Sequence, residues 1–84
     1  MRNPDADILQ NERTQAMLDS LKDASHELGQ ALMVIMGSLE LLARKLDQPE
    51  HLEYVDRSLK AGKRAYNALN HIRETREAYI TRNF

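Results

Sequence analysis

The 84-residue chain has no cysteine, no tryptophan, two prolines, three glycines and 5% aromatic residues. Without cysteine it can have no disulfide framework, no thiolate metal site and no cysteine nucleophile, and it suits a reducing compartment. It is poor in turn residues and rich in helix formers, with 42% hydrophobic and 30% charged residues, a balance that points to long helices. An excess of charge of one sign is also missing. Twelve Lys and Arg against thirteen Asp and Glu leave a net charge of −1, so no bulk basicity draws the chain to nucleic acid or to an anionic membrane. The longest apolar run, Ala31 to Met36, falls far short of the roughly 18 residues of a membrane span, so no direct membrane insertion is expected. Met1-Arg2-Asn3-Pro4-Asp5 is polar and acidic and lacks the apolar stretch of a signal peptide; a cytoplasmic location is expected. At this length the chain holds one small domain. A core of this size supplies only a few kcal/mol, and the usual remedies are disulfides, a metal or oligomerisation, of which the first is excluded.

Residues 1–13 read as a polar N-terminal lead-in, with Ile8 and Leu9 able to extend a helix backward. From Leu18 a regular pattern begins. Leu18, Ser25, Leu32, Leu39 and Leu46 recur every seven residues, and Leu21, Leu28, Ile35 and Leu42 recur in the same period three positions later. This is a heptad seam whose one polar member is Ser25. Val34 and Leu41 widen the stripe beyond a two-stranded seam, which suits a bundle of four helices. A first helix over about 14–46, a turn at 47–50 and a second helix over about 49–80 follow. Proline disfavours helical geometry at the residue before it and is at home in the first turn of a new helix. Either Asp47 with Glu50 forms a capping box, or Gln48 is the N-cap with Pro49 at the first helical position. Leu52, Val55, Leu59, Gly62, Tyr66, Leu69 and Ile72 mark the buried side of the second helix, whose last turns are expected to project or fray. Two helices alone leave one side of the Leu32, Ile35, Leu39 and Leu42 stripe wet. The expected fold is therefore all-α: an antiparallel two-helix hairpin that dimerises into a four-helix bundle.

Inside the first helix lies Ser25-His26-Glu27-Leu28-Gly29-Gln30-Ala31-Leu32. His26 stands one step round from the seam, Gln30 lies four residues further on the same outward line, and Met33 and Gly37 continue it. Glu27 can swing to the Nδ1–H of His26, which fixes the tautomer and leaves Nε2 free as a nucleophile toward a phosphoryl group. Gly29 and Gly37 weaken an exposed helix by about 1 kcal/mol each relative to Ala, so they ask for a packing or access reason. Taken on spacing alone, a histidine followed by glutamate on a helix is common, and the bland reading is a solvated surface.

That segment, followed by Val34-Ile35-Met36-Gly37-Ser38-Leu39-Glu40-Leu41-Leu42, resembles the histidine-bearing helix of sensor histidine kinases, in their dimerisation and histidine phosphotransfer (DHp) domain. The family pattern is a histidine, an acidic residue, an apolar residue, a variable one, then Asn, Thr or Gln, and an apolar run with a glycine. The likeness covers about residues 14–75, including the proline-containing hairpin and Leu59-Lys60-Ala61-Gly62-Lys63-Arg64-Ala65. It implies that His26 is the phosphoacceptor, that Glu27 is a general base, and that Gln30 positions water for dephosphorylating the response regulator. Met33 and Gly37 would help dock that regulator. It also implies a homodimer, a receiver-domain partner and a separate ATP-binding domain that brings ATP and Mg. Ala31 stands where the family usually has proline, or Asn-Leu in one subgroup, so the sequence leaves the family's kink in this helix open. With glycine only at 29, 37 and 62, and no strand expected, the chain has no phosphate cradle of its own and cannot phosphorylate itself alone. It reads either as part of a larger kinase or as a free-standing phosphotransfer module.

Other candidates carry less. His71 and Glu74 have the spacing of a bundle metal site but no second acidic–histidine pair to face, and read as a solvated face; no metal site is expected. His51 beside Glu50 reads as first-turn surface, and Arg57, Lys60, Lys63 and Arg64 as a salt-bridged outer face with Glu53 and Asp56. The rival functional reading is a dimerisation and docking module that regulates a kinase without carrying phosphate. A plain coiled coil, a third reading, accounts for the heptads and not for the glycines.

Overall fold

Long runs of helix formers bounded by proline set the elements. In the computed structural model, residues 4–84 are described; residues 1–3, part of the expected lead-in, lie outside them. Helix α1 spans Pro4–Lys45 and helix α2 spans Pro49–Asn83. Asp5 and Asp7 in the first turn of α1 and Arg44 and Lys45 in its last complement the helix dipole. The helix thus starts ten residues before the expected position near 14. No glycine, and no proline after Pro4, interrupts residues 5–13, and proline fits a first helical turn. It also runs through Ala31 without a break.

The turn is three residues, 46–48. Gln48 is the N-cap of α2, extended at φ −85° and ψ 126°, with Pro49 in the first turn and no side-chain cap. Its carbonyl accepts from the backbone N–H groups of His51 and Leu52, both at 3.1 Å. The Asp47–Glu50 capping box does not form. It would need Gln48 to be helical directly before proline, which the ring disfavours.

The helices run antiparallel. Arg73 of α2 reaches Ser25 of α1, Arg76 reaches Leu18, and Gly62 lies against Met36. The hairpin is a rod of 70 × 16 × 16 Å, one helix pair thick, so its interior is a single seam. Leu18 and Leu69, each 2% exposed, and Val55 are the buried apolar side chains. Ser25 and Gly29 are buried with them, and Leu32, Met36, Leu39, Leu46, Leu52, Leu59 and Tyr66 are half-buried. A Cβ on Gly62 would stand 3.0 Å from Met36 Cγ and 3.3 Å from its Sδ, so bare backbone lets the helices close at mid-length against an adaptable thioether.

The two heptad series divide. The Leu18 series faces α2, whereas Leu21, Leu28, Ile35 and Leu42 are 40–53% exposed along one flank. The expected single seam is therefore two surfaces, one that closes the hairpin and one that lies open. Ile72, expected on the buried side of α2, is likewise exposed and joins Met17, Leu21 and Tyr79 around an apolar groove. Among the described residues no helix is long and apolar enough to cross a membrane.

Candidate functional site

The site begins with two small residues on the inner face of α1. Ser25 and Gly29 are one helical turn apart and together leave a notch between Leu18 on one side and Leu32 and Met36 on the other. The Arg73 guanidinium lies in that notch. Its Nη2 donates to the Ser25 carbonyl at 2.9 Å, and a Cβ on Gly29 would come within 2.5 Å of the same nitrogen and 3.4 Å of Leu69 Cδ2. Gly29 is thus glycine for packing, not for solvent access: it is buried, where an exposed position was expected. One turn further along α2, Arg76 Nε donates to the Leu18 carbonyl at 2.8 Å. Helix α2 continues to Asn83, and two charged donors on it, Arg73 and Arg76, reach backbone carbonyls of α1 across the seam; beyond Arg76 its side chains are exposed apart from half-buried Ile80.

His26 projects just outside this notch. It is exposed, and it lines a cavity of about 200 Å³ with Lys22, Ser25, Arg73, Arg76 and Glu77. A second, shallower cavity of about 390 Å³ continues along α1 past Gly29, Gln30, Met33 and Val34, with Tyr66 and Arg73 opposite. The structure thus brings His26, Gln30 and Met33 to one groove, as their spacing predicts. Gly37 is further along the same line, and a Cβ there would meet nothing within 4 Å. Glu27 is exposed, about 100° round the helix from His26; among the described residues no hydrogen bond or ion pair joins the two. His26 lies roughly 140–160° from Leu21 and Leu28, so the groove and the open apolar flank occupy opposite sides of α1.

A family model of the His Kinase A (phospho-acceptor) domain matches residues 8–76. The chain belongs to that family. No curated protein and no solved structure matches it. A His Kinase A domain is the phosphoacceptor and dimerisation module of a histidine kinase, and the all-α hairpin agrees with that assignment. The matched span begins at Ile8, inside the segment expected as lead-in, and ends at Arg76, so it takes in both arginines that reach across the seam.

Sequence reasoning missed those arginines, although a signal for them exists. Leu52, Leu59, Tyr66, Arg73 and Ile80 recur every seven residues, as do Val55, Gly62, Leu69 and Arg76. Both arginines are at seam positions of this His Kinase A domain. Reading the series by hydrophobicity stops it at Leu69 and places Ile72 on the wrong side. Of the four basic residues expected on a salt-bridged outer face of α2, Arg57 pairs with Glu53 at 3.0 Å and Lys60 with Asp56 at 2.9 Å, whereas Lys63 and Arg64 are exposed and form no ion pair among the described residues.

Proposed function

We propose that this His Kinase A domain is a dimeric histidine phosphotransfer module in which His26 accepts a phosphoryl group and passes it to an aspartate of a response-regulator receiver domain. The observation that carries this reading is the division of α1 into opposite sides. The apolar flank of Leu21, Leu28, Ile35 and Leu42 pairs with a second copy, and His26 remains on the outside with room for an incoming domain. The accessible surface supports pairing. It is 7065 Å², against roughly 5,100 Å² for a compact chain of 9.7 kDa, and the surplus exceeds the roughly 800 Å² each partner gives to a standard interface.

In the forward step the Nε2 lone pair of His26 attacks the γ-phosphorus of ATP, which a separate domain presents with Mg. A P–N bond forms as the bond to the bridging oxygen breaks and ADP departs. Glu27, reached by side-chain rotation, takes the Nδ1 proton. In the onward step a receiver carboxylate oxygen attacks the same phosphorus, the P–N bond breaks, and the ring recovers its proton as it leaves. Gln30, four residues from His26 on the same line, orients the water that later hydrolyses the receiver's acyl phosphate. Met33 and the bare backbone at Gly37 form the adaptable surface on which the receiver rests.

The test is incubation of the chain with a histidine kinase ATP-binding domain and labelled ATP. Acid-labile, base-stable label is expected on the native chain and absent from His26→Ala. Label that survives His26→Ala defeats the assignment. No label with any ATP-binding domain or phosphorylated receiver favours the rival module that docks without carrying phosphate.

A further inference from the structure

We infer that Arg73 is the phosphoryl-binding residue of the His26 site, held ready on the Ser25–Gly29 notch until a phosphoryl group arrives. The inference rests on His26 as phosphoacceptor and adds to it a group from the other helix. Arg73 lines both cavities that His26 lines. A guanidinium has five N–H donors in a planar fork suited to phosphate, and the hydrogen bond Arg73 makes uses its Nη2 on the Ser25 carbonyl at 2.9 Å. That carbonyl belongs to a helix interior, so it already has a backbone donor and does not need Arg73. No acidic side chain neutralises the guanidinium among the described residues: Glu77, one turn along α2, lines the cavity without pairing to it. Lys22 from α1 and Arg76 from α2 add positive charge to the same cavity, and Glu77 is its one acidic residue.

An unneutralised fork with spare donors, half-buried beside a nucleophilic imidazole, is a built oxyanion site. Phosphoryl transfer depends mainly on positioning and on neutralising charge at the equatorial oxygens, which is what such a fork supplies. Gly29 belongs to the same device. Its missing Cβ gives the guanidinium a resting place three residues along α1 from His26, whereas a Cβ there would displace it.

Phosphoramidate tests this without an ATP-binding domain. His26 Nε2 attacks its phosphorus, a new P–N bond forms, and the donor's own nitrogen leaves as ammonia while the Nδ1 proton passes to solvent or Glu27. The full chain, Arg73→Gln and Arg73→Lys are compared for the rate of label uptake at His26. Helicity and molecular mass are followed in parallel, and the Arg73 Nε–H resonance of the native chain is recorded with inorganic phosphate and after labelling. Uptake in Arg73→Gln is expected to fall about ten- to hundredfold, the loss of one charge-assisted hydrogen bond, with partial recovery in Arg73→Lys. The Arg73 resonance should move on labelling. Native uptake in a folded Arg73→Gln together with an unmoved resonance overturns the inference and leaves Arg73 a clamp between helices. A native chain that takes no label but whose Arg73 resonance moves with inorganic phosphate sinks the relay reading and upholds the anion site. Neither label nor movement defeats both.

Discussion

The three glycines answer to different neighbours. Gly29 makes room for Arg73, Gly62 makes room for Met36, and Gly37 has no atom within 4 Å of where its Cβ would be. Nothing in the hairpin therefore needs glycine at 37, and the helix is weaker for it. Gly37→Ala should raise the stability of the chain by about 1 kcal/mol, read from thermal unfolding. If the receiver rests on that bare backbone, the same methyl group slows transfer from phosphorylated His26 to the receiver and leaves phosphorylation of His26 unchanged. Equal slowing of both steps, or of neither, would mean that Gly37 is no docking surface. Glu27 is separable in the same way. It is exposed and forms no bond that the fold needs, so Glu27→Gln should keep native helicity and slow phosphorylation of His26 about a hundredfold, the usual scale of general-base assistance. The line from His26 to Met33 is legible in the sequence because its members are three and four residues apart on one helix. The reason for Gly29 is not, because it stands on the other helix, at Arg73.

At the scale of the helix, α2 does two jobs along its length. Its middle closes the hairpin through Val55, Gly62 and Leu69, and further on Arg73 and Arg76 donate to the Ser25 and Leu18 carbonyls of α1 and line the cavity that His26 lines. Leu69 and Ile72, three residues apart, show where one surface stops and the other starts. Leu69 is 2% exposed and Ile72 is 45% exposed. Leu69→Ala removes a side chain packed in the seam and should cost about 2–5 kcal/mol in denaturant unfolding. Ile72→Ala should cost far less in the hairpin itself and act on pairing, seen as a dissociation midpoint that shifts to higher protein concentration. Equal costs at the two positions would show that the seam has been misplaced. Helix type, the proline turn and antiparallel order all follow from local chemistry and periodicity, which is why they are readable from the chain. Arg73 and Arg76 occupy apolar seam positions, and a pattern read from hydrophobicity passes over them. The early start of α1 is similar: residues 5–13 carry too few apolar side chains to reveal a helix by periodicity, yet no interior breaker opposes one.

For the molecule as a whole, the open flank is the feature that demands a partner. Leu21, Leu28, Ile35 and Leu42 span about 32 Å of α1 at 1.5 Å per residue, a continuous apolar strip that monomers seldom leave wet. The second copy of the proposed dimer would cover it, because a two-fold axis sets such a strip against itself and would leave both His26 side chains on the outside. Ile35 is the position from which to test this. It is in the middle of the strip and 53% exposed in the hairpin, so a charge there disturbs pairing and spares the seam between α1 and α2 that a charge at Leu18 or Leu69 would disrupt. Val34 is the matched control. It is its neighbour in sequence, 68% exposed, and faces away toward the His26 groove. In light scattering the native chain and Val34→Glu should each show about twice the 9.7 kDa chain mass, and Ile35→Glu should approach the single-chain value with a lower melting temperature. In Ile35→Glu, two carboxylates near the axis would have to be buried unpaired, which favours separation over a strained dimer. A native chain that runs as a stable folded monomer, or an Ile35→Glu variant that stays paired, would remove the flank as the interface. The two His26 sites would then have no common scaffold.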